Sequence, residues 1–292
     1  MRTTKPIAEQ PGTRCVTTLL LATLAVSACA TAGRPAERTI SSAAATDASR
    51  TFQREYDQQL RDDPVSCLTT IAAHYLPPGS VASISVNSTT TLDFEATDEA
   101  LIVRHGPEQH RIEAHAVLPL DDRHTLSISR QELDWRVLVH DHDTSRRASF
   151  SGVRWFPVDD RLIVEARWAP TSPREPMLLQ TSRGVSKTLY VAGTASFTLD
   201  GASASLLVFA YSADPQPGEP LLIPFRDATS GEQSYAAGRY LEPEAPTGTT
   251  LTLDFNRATN PLCAYSEHYN CPMPPRFNVL PFAIEAGAAQ PH

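Results

Sequence analysis

The spacing of apolar positions changes character near residue 80. Before it, Phe52, Tyr56 and Leu60 recur at i, i+4 and i+8, which puts one apolar stripe on a short helix. Asp63-Pro64 reads as a cap followed by Pro at the first helical position. Val65, Leu68, Ile71, Ala72 and Tyr75 continue at helical spacing until Pro77-Pro78-Gly79 stops them. After it, the segments are short, β-branched or alternating, as in Thr91-Leu92-Asp93-Phe94-Glu95, Arg111-Ile112-Glu113-Ala114 and Arg136-Val137-Leu138-Val139. Further strands are predicted at 161–168, 187–192, 220–225, 249–255 and 279–284. The clearest hairpin runs from Ala195 to Leu199, turns at Asp200-Gly201 and returns from Ser203 to Tyr211, with Phe197 and Leu199 on one face. No interval repeats, and no helix longer than three turns is expected after residue 80. The pattern predicts a mainly β fold: an antiparallel β-sandwich or barrel with a short N-terminal helical lead.

The first residues follow a different logic. Arg2, Lys5 and Arg14 lead into an apolar run over 15–26 that ends in Val26-Ser27-Ala28-Cys29. That run is too short to cross a bilayer, so residues 1–28 read as a cleaved signal peptide. Its last four residues resemble a bacterial lipobox, and the resemblance makes Cys29 a lipidation site and the mature N-terminus. Ordinary secretory cleavage after Ala30 or Ala32 is the alternative. Ala30, where Asp does not stand, points to the cell envelope and, in a host with two membranes, to the outer membrane facing the periplasm. Residues 29–50, rich in Ala, Ser and Thr, read as a lipid-anchored flexible tether. The helical lead is then 51–79 and the β-rich domain 80–287, with a division into two lobes near 148 fitting the same pattern.

Charge narrows the partners. The chain has 25 Lys+Arg against 33 Asp+Glu, a formal −8. Removing residues 1–28 takes away Arg2, Lys5, Arg14 and Glu9, which leaves −10. Such a surface excludes broad binding to nucleic acid, and acyl chains rather than headgroup attraction would hold it at a membrane. A hydrophobic fraction of 41% excludes a disordered chain, and 24 Pro against 13 Gly fit many short elements joined by ordered turns.

One stretch departs from the strand-and-turn background. It runs Pro224-Phe225-Arg226-Asp227-Ala228-Thr229-Ser230-Gly231, then Tyr235-Ala236-Ala237-Gly238-Arg239-Tyr240-Leu241 and Leu253-Asp254-Phe255-Asn256-Arg257-Ala258. It ends with Asn260-Pro261-Leu262-Cys263-Ala264-Tyr265, Cys271-Pro272-Met273-Pro274-Pro275 and Asn278. With Phe150-Ser151-Gly152-Val153-Arg154-Trp155-Phe156-Pro157-Val158 and Leu199-Asp200-Gly201, these residues resemble the bacterial domain-of-unknown-function family DUF1684. The resemblance covers residues 130–287 well and 51–130 loosely, and it departs from the family pattern at Thr259 and Leu262. It implies a β-rich domain and brings no reaction and no cofactor.

Physically, the stretch sets charges among apolar strand residues, and charges are rarely buried unless paired. One reading is a salt-bridge network, with Arg226 or Arg239 on Asp254 and tyrosine hydroxyls on loop carbonyls. The other is a pocket whose guanidiniums grip a carboxylate or phosphate, with Asp227 or Asp254 as acid or base. The pocket candidates are Arg226, Asp227, Tyr235, Arg239, Tyr240, Asp254, Asn256, Arg257 and Tyr265.

Cys263 and Cys271 lie in a Pro-rich loop and, in an exported protein, are expected to form a disulfide. A metal on Cys263, His268 and Cys271 is the rival, although the spacing lacks the usual Cys-x-x-Cys knuckle. Cys67 reads as a core thiol. His140-Asp141-His142-Asp143, and likewise His105, His110, His115 and His124, read as solvated histidines. No nucleophile elbow, zinc-protease helix or phosphate-cradling glycine loop occurs. Three functions follow from these residues. The first is a binding module for a small anionic ligand or a protein partner segment. The second is a hydrolase using Asp227 or Asp254 with Tyr235, and the third is a scaffold held by a salt-bridged loop network.

Overall fold

The stripe at Phe52, Tyr56 and Leu60 lies on α1 (Ala43–Asp62) of the computed structural model, which describes residues 43–184, 186–216 and 218–291. The signal peptide, Cys29 and the tether as far as residue 42 lie outside the described residues. Helix α1 begins inside the expected tether. Ser49 and Gln53 are buried against the far end of the chain, and these contacts hold an Ala-, Ser- and Thr-rich segment in helical form.

Eight strands follow: β1 (Thr70–Leu76), β2 (Val81–Ser85), β3 (Thr91–Ala96), β4 (Leu101–His105), β5 (Glu108–Ile112), β6 (Ala116–Pro119), β7 (His124–Gln131) and β8 (Asp134–Asp141). The first corrects the expectation that the helical lead continues past Pro64. Asp63 Oδ1 instead caps a turn by accepting from the N–H of Val65 at 2.9 Å, and the chain then enters β1. The misreading has a physical cause. Ile71, Ala72 and Leu76 pack on one core and Ala73 on another, so both faces of β1 are covered and its apolar positions do not alternate.

Two antiparallel sheets, in strand orders β1-β8-β7-β6 and β2-β3-β4-β5, face each other across Phe94, Leu101, Leu126, Ile128, Trp135 and Val137. This half of the β structure is a sandwich. A five-residue helix, α2 (Ser145–Ser149), leads out of it.

The remaining strands are β9 (Ile163–Gln180), β10 (Ser186–Leu199), β11 (Ala202–Ala210), β12 (Ile223–Phe225), β13 (Arg239–Leu241) and β14 (Thr250–Asp254). The sheet β11-β10-β9-β14 and the ribbon β12-β13 curl as a half-barrel around a separate core that includes Phe197, Leu206, Phe225, Leu253 and Phe255. Asp200 (φ 48°) and Gly201 (φ 81°) form the mirror-image turn that joins β10 to β11, and Phe197 and Leu199 both point into the core. β9 runs well past the predicted 161–168. Its extension carries Pro170, Pro173 and Pro176 beyond residues 163–167, where β14 pairs, so the prolines fall where a missing N–H costs no ladder bond. The bulge at Val191/Gly193 in β10 needs glycine, because a Cβ at 193 would lie 2.4 Å from the carbonyl oxygen of Ala169.

The segment predicted as a strand at 279–284 belongs to no sheet. Leu280 N–H donates to Arg226 O and Ile284 N–H to Asp227 Oδ2, so isolated bonds replace the ladder. A third cluster, comprising Leu60, Cys67, Leu68, Leu138, Tyr269 and Cys271, joins helix, sandwich and half-barrel.

His140 corrects the reading of solvated histidines. It lies fully buried on β8 between Thr69 Oγ1 (3.0 Å from Nδ1) and Ser127 Oγ (2.8 Å from Nε2), and His124 is buried against Asp121. Burial lowers the His140 pKa from 6.5 to about 4. The unfolded chain therefore takes up a proton below pH ~6.5 that the native state refuses until pH ~4. Native stability from this residue is complete above pH 6.5 and falls as pH drops to 4, by about 3 kcal/mol in total. Urea denaturation at intervals over this range should show the fall in the native protein, and His140→Gln should flatten it.

Candidate functional site

Eight of the nine loop residues fold into three separate arrangements, and Arg226 stands outside them. The first is centred on Arg239, wholly buried at the start of β13. Gly238 before it (φ 95°) lets the chain pass Phe225, whose carbonyl oxygen would lie 2.5 Å from any Cβ. The Arg239 guanidinium pairs with Asp227 at 3.3 Å, in contrast to the Asp254 partner of the salt-bridge reading. It also donates to the carbonyls of Ile284 (2.8 Å), Ala286 and Ala288 (3.2 Å), between the rings of Phe156 and Phe225. Asp227 is occupied as well, accepting from the hydroxyls of Thr229 and Ser230 and from Ile284 N–H at 2.7 Å. Burial pulls the Arg239 pKa down, and Asp227 opposes that shift. Arg226, next in sequence to Asp227, is exposed and takes no part.

The second arrangement receives α1. Asp254 accepts from Ser49 Oγ at 2.6 Å, and the carbonyl of Asn256 accepts from Gln53 Nε2 at 2.9 Å. The Arg257 guanidinium lies 4.5 Å from the Phe52 ring centre. The Asn256 side chain exchanges two hydrogen bonds with the backbone of Asp159, at 2.8 and 2.9 Å. Ser49 and Gln53 had no sequence signal, because polar residues in an Ala-rich stretch look like linker.

The third lies in the joint. Tyr240 Oη donates to Pro272 O at 2.6 Å, Asn260 donates to Tyr265 Oη at 3.3 Å, and Tyr235 approaches Cys263. Burial raises all three phenol pKa values. The expected disulfide is not formed. Cys263 and Cys271 are free, their side chains hydrogen-bond to one another, and the Cys263 N–H occupies Cys271 Sγ at 3.3 Å. Among the described residues no group of three His, Cys, Asp or Glu side chains is placed to hold a metal ion.

None of the nine loop residues lines either of two cavities. The larger cavity, about 690 Å³, lies beside the start of α1, and its two arginines are already paired: Arg161 with Asp159 at 2.6 Å and Arg50 with Asp47 at 2.9 Å. A cleft of about 320 Å³ between the β7–β8 hairpin and β10 differs in kind. Its walls carry Arg130, Gln131, Arg136, Lys187, Tyr190 and Tyr211. Among the described residues Arg136 and Lys187 form no ion pair, and Gln131 Oε1 and Arg136 Nε are buried without a hydrogen-bond partner. The Lys187 ammonium lies 5.4 Å from the Tyr211 ring centre. Burial, and then the like charge of Arg136, pull the Lys187 pKa down, and Glu132 partly offsets them. Burial lifts Tyr211 to about 12. These residues carried no motif, since they come together only when two distant hairpins meet.

The family model described as "Protein of unknown function (DUF1684)" matches residues 148–289. A solution NMR structure of an uncharacterized protein from Haloarcula marismortui is 39% identical, with 49% of this chain and 78% of that one covered and a TM-score of 0.42. No curated protein matches the chain.

Removing one member of a buried ion pair strands the other. Asp227→Asn should therefore cost about 3–5 kcal/mol in a urea melt, while exposed Arg226→Gln should stay within ~0.5 kcal/mol of the parent. Equal effects at the two positions would show that Arg239 does not depend on Asp227.

Proposed function

With residues 148–289 the chain belongs to the DUF1684 family, and we propose that the protein is a cell-envelope binding module that holds a small anionic ligand in the cleft between its sandwich and its half-barrel. One observation carries the reading: among the described residues Lys187 and Arg136 form no ion pair, and the carboxylate on the same walls, Glu132, accepts instead from the Thr188 N–H at 3.1 Å, in a chain where acidic residues outnumber basic ones by eight. A buried polar atom without a partner costs about 1–3 kcal/mol, and a carboxylate or phosphate seated between the two cations would relieve both. The hydroxyls of Tyr190, Tyr211 and Thr188 add neutral hydrogen-bonding capacity on the same walls. This moves the ligand away from the loop cluster. Hydrolysis by Asp227 or Asp254 with Tyr235 has less support, because Asp227 is occupied by Arg239 and Ile284 and Asp254 by Ser49 and Asn256.

Calorimetric titration of the full chain with inorganic phosphate and with succinate tests the cleft. Binding should weaken at least about tenfold in Arg136→Gln and in Lys187→Met and survive in Glu132→Gln. Affinity should fall as pH rises, because the anion selects charged Lys187 and its pKa in the empty cleft is already lowered by burial. Failure of the native protein to bind either anion, or binding indifferent to both substitutions, overturns the reading.

The envelope location rests on the export signal and the Cys29 lipobox, and no helix among the described residues is long and apolar enough to cross a membrane. Metabolic labelling with a fatty-acid analogue should mark the native chain and not Cys29→Ala. Equal labelling of both would remove the anchor.

A further inference from the structure

Cys263 and Cys271 stand side by side in the joint, and anion binding uses neither. Their surroundings differ. Cys263 lies partly buried on the short turn over 262–264, whereas Cys271 is 7% exposed. Cys271 is held from both sides. Its N–H donates to Ser182 Oγ at 3.1 Å, its carbonyl accepts from Ser182 N–H at 2.9 Å, and Met273 N–H donates to Gln180 O at 2.7 Å. The turn after β9 therefore fixes the buried sulfur, and the accessible one is presented beside it.

We propose that this pair is a thiol–disulfide exchange site, with Cys263 as the attacking sulfur, Cys271 as the resolving sulfur, and a low-molecular-weight or protein disulfide as the oxidant. The Cys263 thiolate attacks one sulfur of R–S–S–R. The S–S bond breaks, the first thiolate leaves and takes a proton from water, and Cys263 holds R–S as a mixed disulfide. Cys271 then gives up its proton and attacks the Cys263 sulfur, and the second thiolate leaves and is protonated. Two protein thiols become one disulfide, and R–S–S–R becomes two R–SH.

The local chemistry divides the roles in the same way. Hydrogen bonds, first from Cys271 and then from Ser182 and Tyr235, bring the Cys263 thiol down to about 7 against the opposing effect of burial. The same thiol–thiol bond and burial push Cys271 well above its ordinary value. The other titratable groups facing the pair are Lys187, Tyr211, Tyr240 and Tyr269, all of which bear on Cys271. Cys67, buried in the same cluster, is pushed up to about 12 and serves as an internal control. A thiol with pKa near ambient pH is the best attacking group in such exchange, and the largest cause of the raised Cys271 value, its bond to the Cys263 thiol, is removed once Cys263 is held as the mixed disulfide.

The test is incubation of the full chain at neutral pH with oxidised glutathione, followed by alkylation and intact-mass and peptide mass spectrometry. The native protein should lose two hydrogens, with Cys263 joined to Cys271, and regain them in reduced glutathione. Cys271→Ser should instead accumulate one glutathione on Cys263, Cys263→Ser should accumulate none on Cys271, and Cys67 should stay unmodified throughout. A glutathione adduct that persists on the native protein without loss of two hydrogens overturns the proposal. So does attack at Cys271 first, or no reaction of the native chain, a result that needs no variant to interpret.

Discussion

The half-barrel depends on a wholly buried guanidinium. Arg239 reaches the carbonyls of residues 284, 286 and 288, which a bent, unladdered segment curls round its guanidinium. Asp227 accepts the N–H of residue 284 and neutralises the charge. Together the two side chains do the hydrogen bonding of an absent edge strand. Gly287 (φ 74°) lets the segment bend past Ala258, whose carbonyl oxygen would lie 2.6 Å from a Cβ there. Isolating a charge in this way is expensive, and the cost is met only because every neighbour is fixed.

That lock also closes the domain on itself. Phe156 N–H donates to Gly287 O at 2.9 Å and Ala289 N–H to Arg154 O at 2.7 Å, so the two ends of the stretch matched by the family model meet. Phe156 is also one of the rings beside the guanidinium. With its ends tied, the half-barrel can present the loop at 260–275 as a firm surface to the sandwich, and Tyr269, Cys271 and Leu138 meet there in a small core of their own.

Much of the fold could be read from period and turn chemistry. The Asp200-Gly201 hairpin, the helical stripe and the alternation in β3 needed only their immediate neighbours. What failed had causes outside the local window. β1 looked helical because apolar residues on both its faces pack on a core, and residues 279–284 looked like a strand because they do bond to another segment, Leu280 N–H to Arg226 O and Ala228 N–H to Phe282 O, with Asp227 and Arg239 taking over at residue 284. His140 looked solvated because the threonines that enclose it lie some seventy residues earlier. The loop cluster was visible as an anomaly of charge among apolar residues, yet a paired Arg and Asp read the same in sequence whether they face each other or a ligand. The cleft left no trace, since Arg136 and Lys187 are ordinary strand residues until the lobes meet.

Position explains why the cleft carries unsatisfied groups of its own. Within each lobe, strand register decides which side chains face one another, and several cations there find carboxylates: Arg123 meets Asp141 at 2.6 Å, Arg104 meets Glu95 at 2.7 Å, and Arg174 meets Glu219. No shared ladder sets the register between β8 and β10, which belong to different sheets. Arg136 and Lys187 are thus brought near each other by the packing of the joint with like charge, and among the described residues neither forms an ion pair with Glu132, the carboxylate on the same walls. A seam between two independently closed cores is where a fold can leave a polar demand unmet at least cost to either core, and where a ligand can supply what is missing. The thiol pair lies along the same seam, and Cys271 bears electrostatically on Lys187 and Tyr211. Any change in the charge at that sulfur is therefore felt in the cleft.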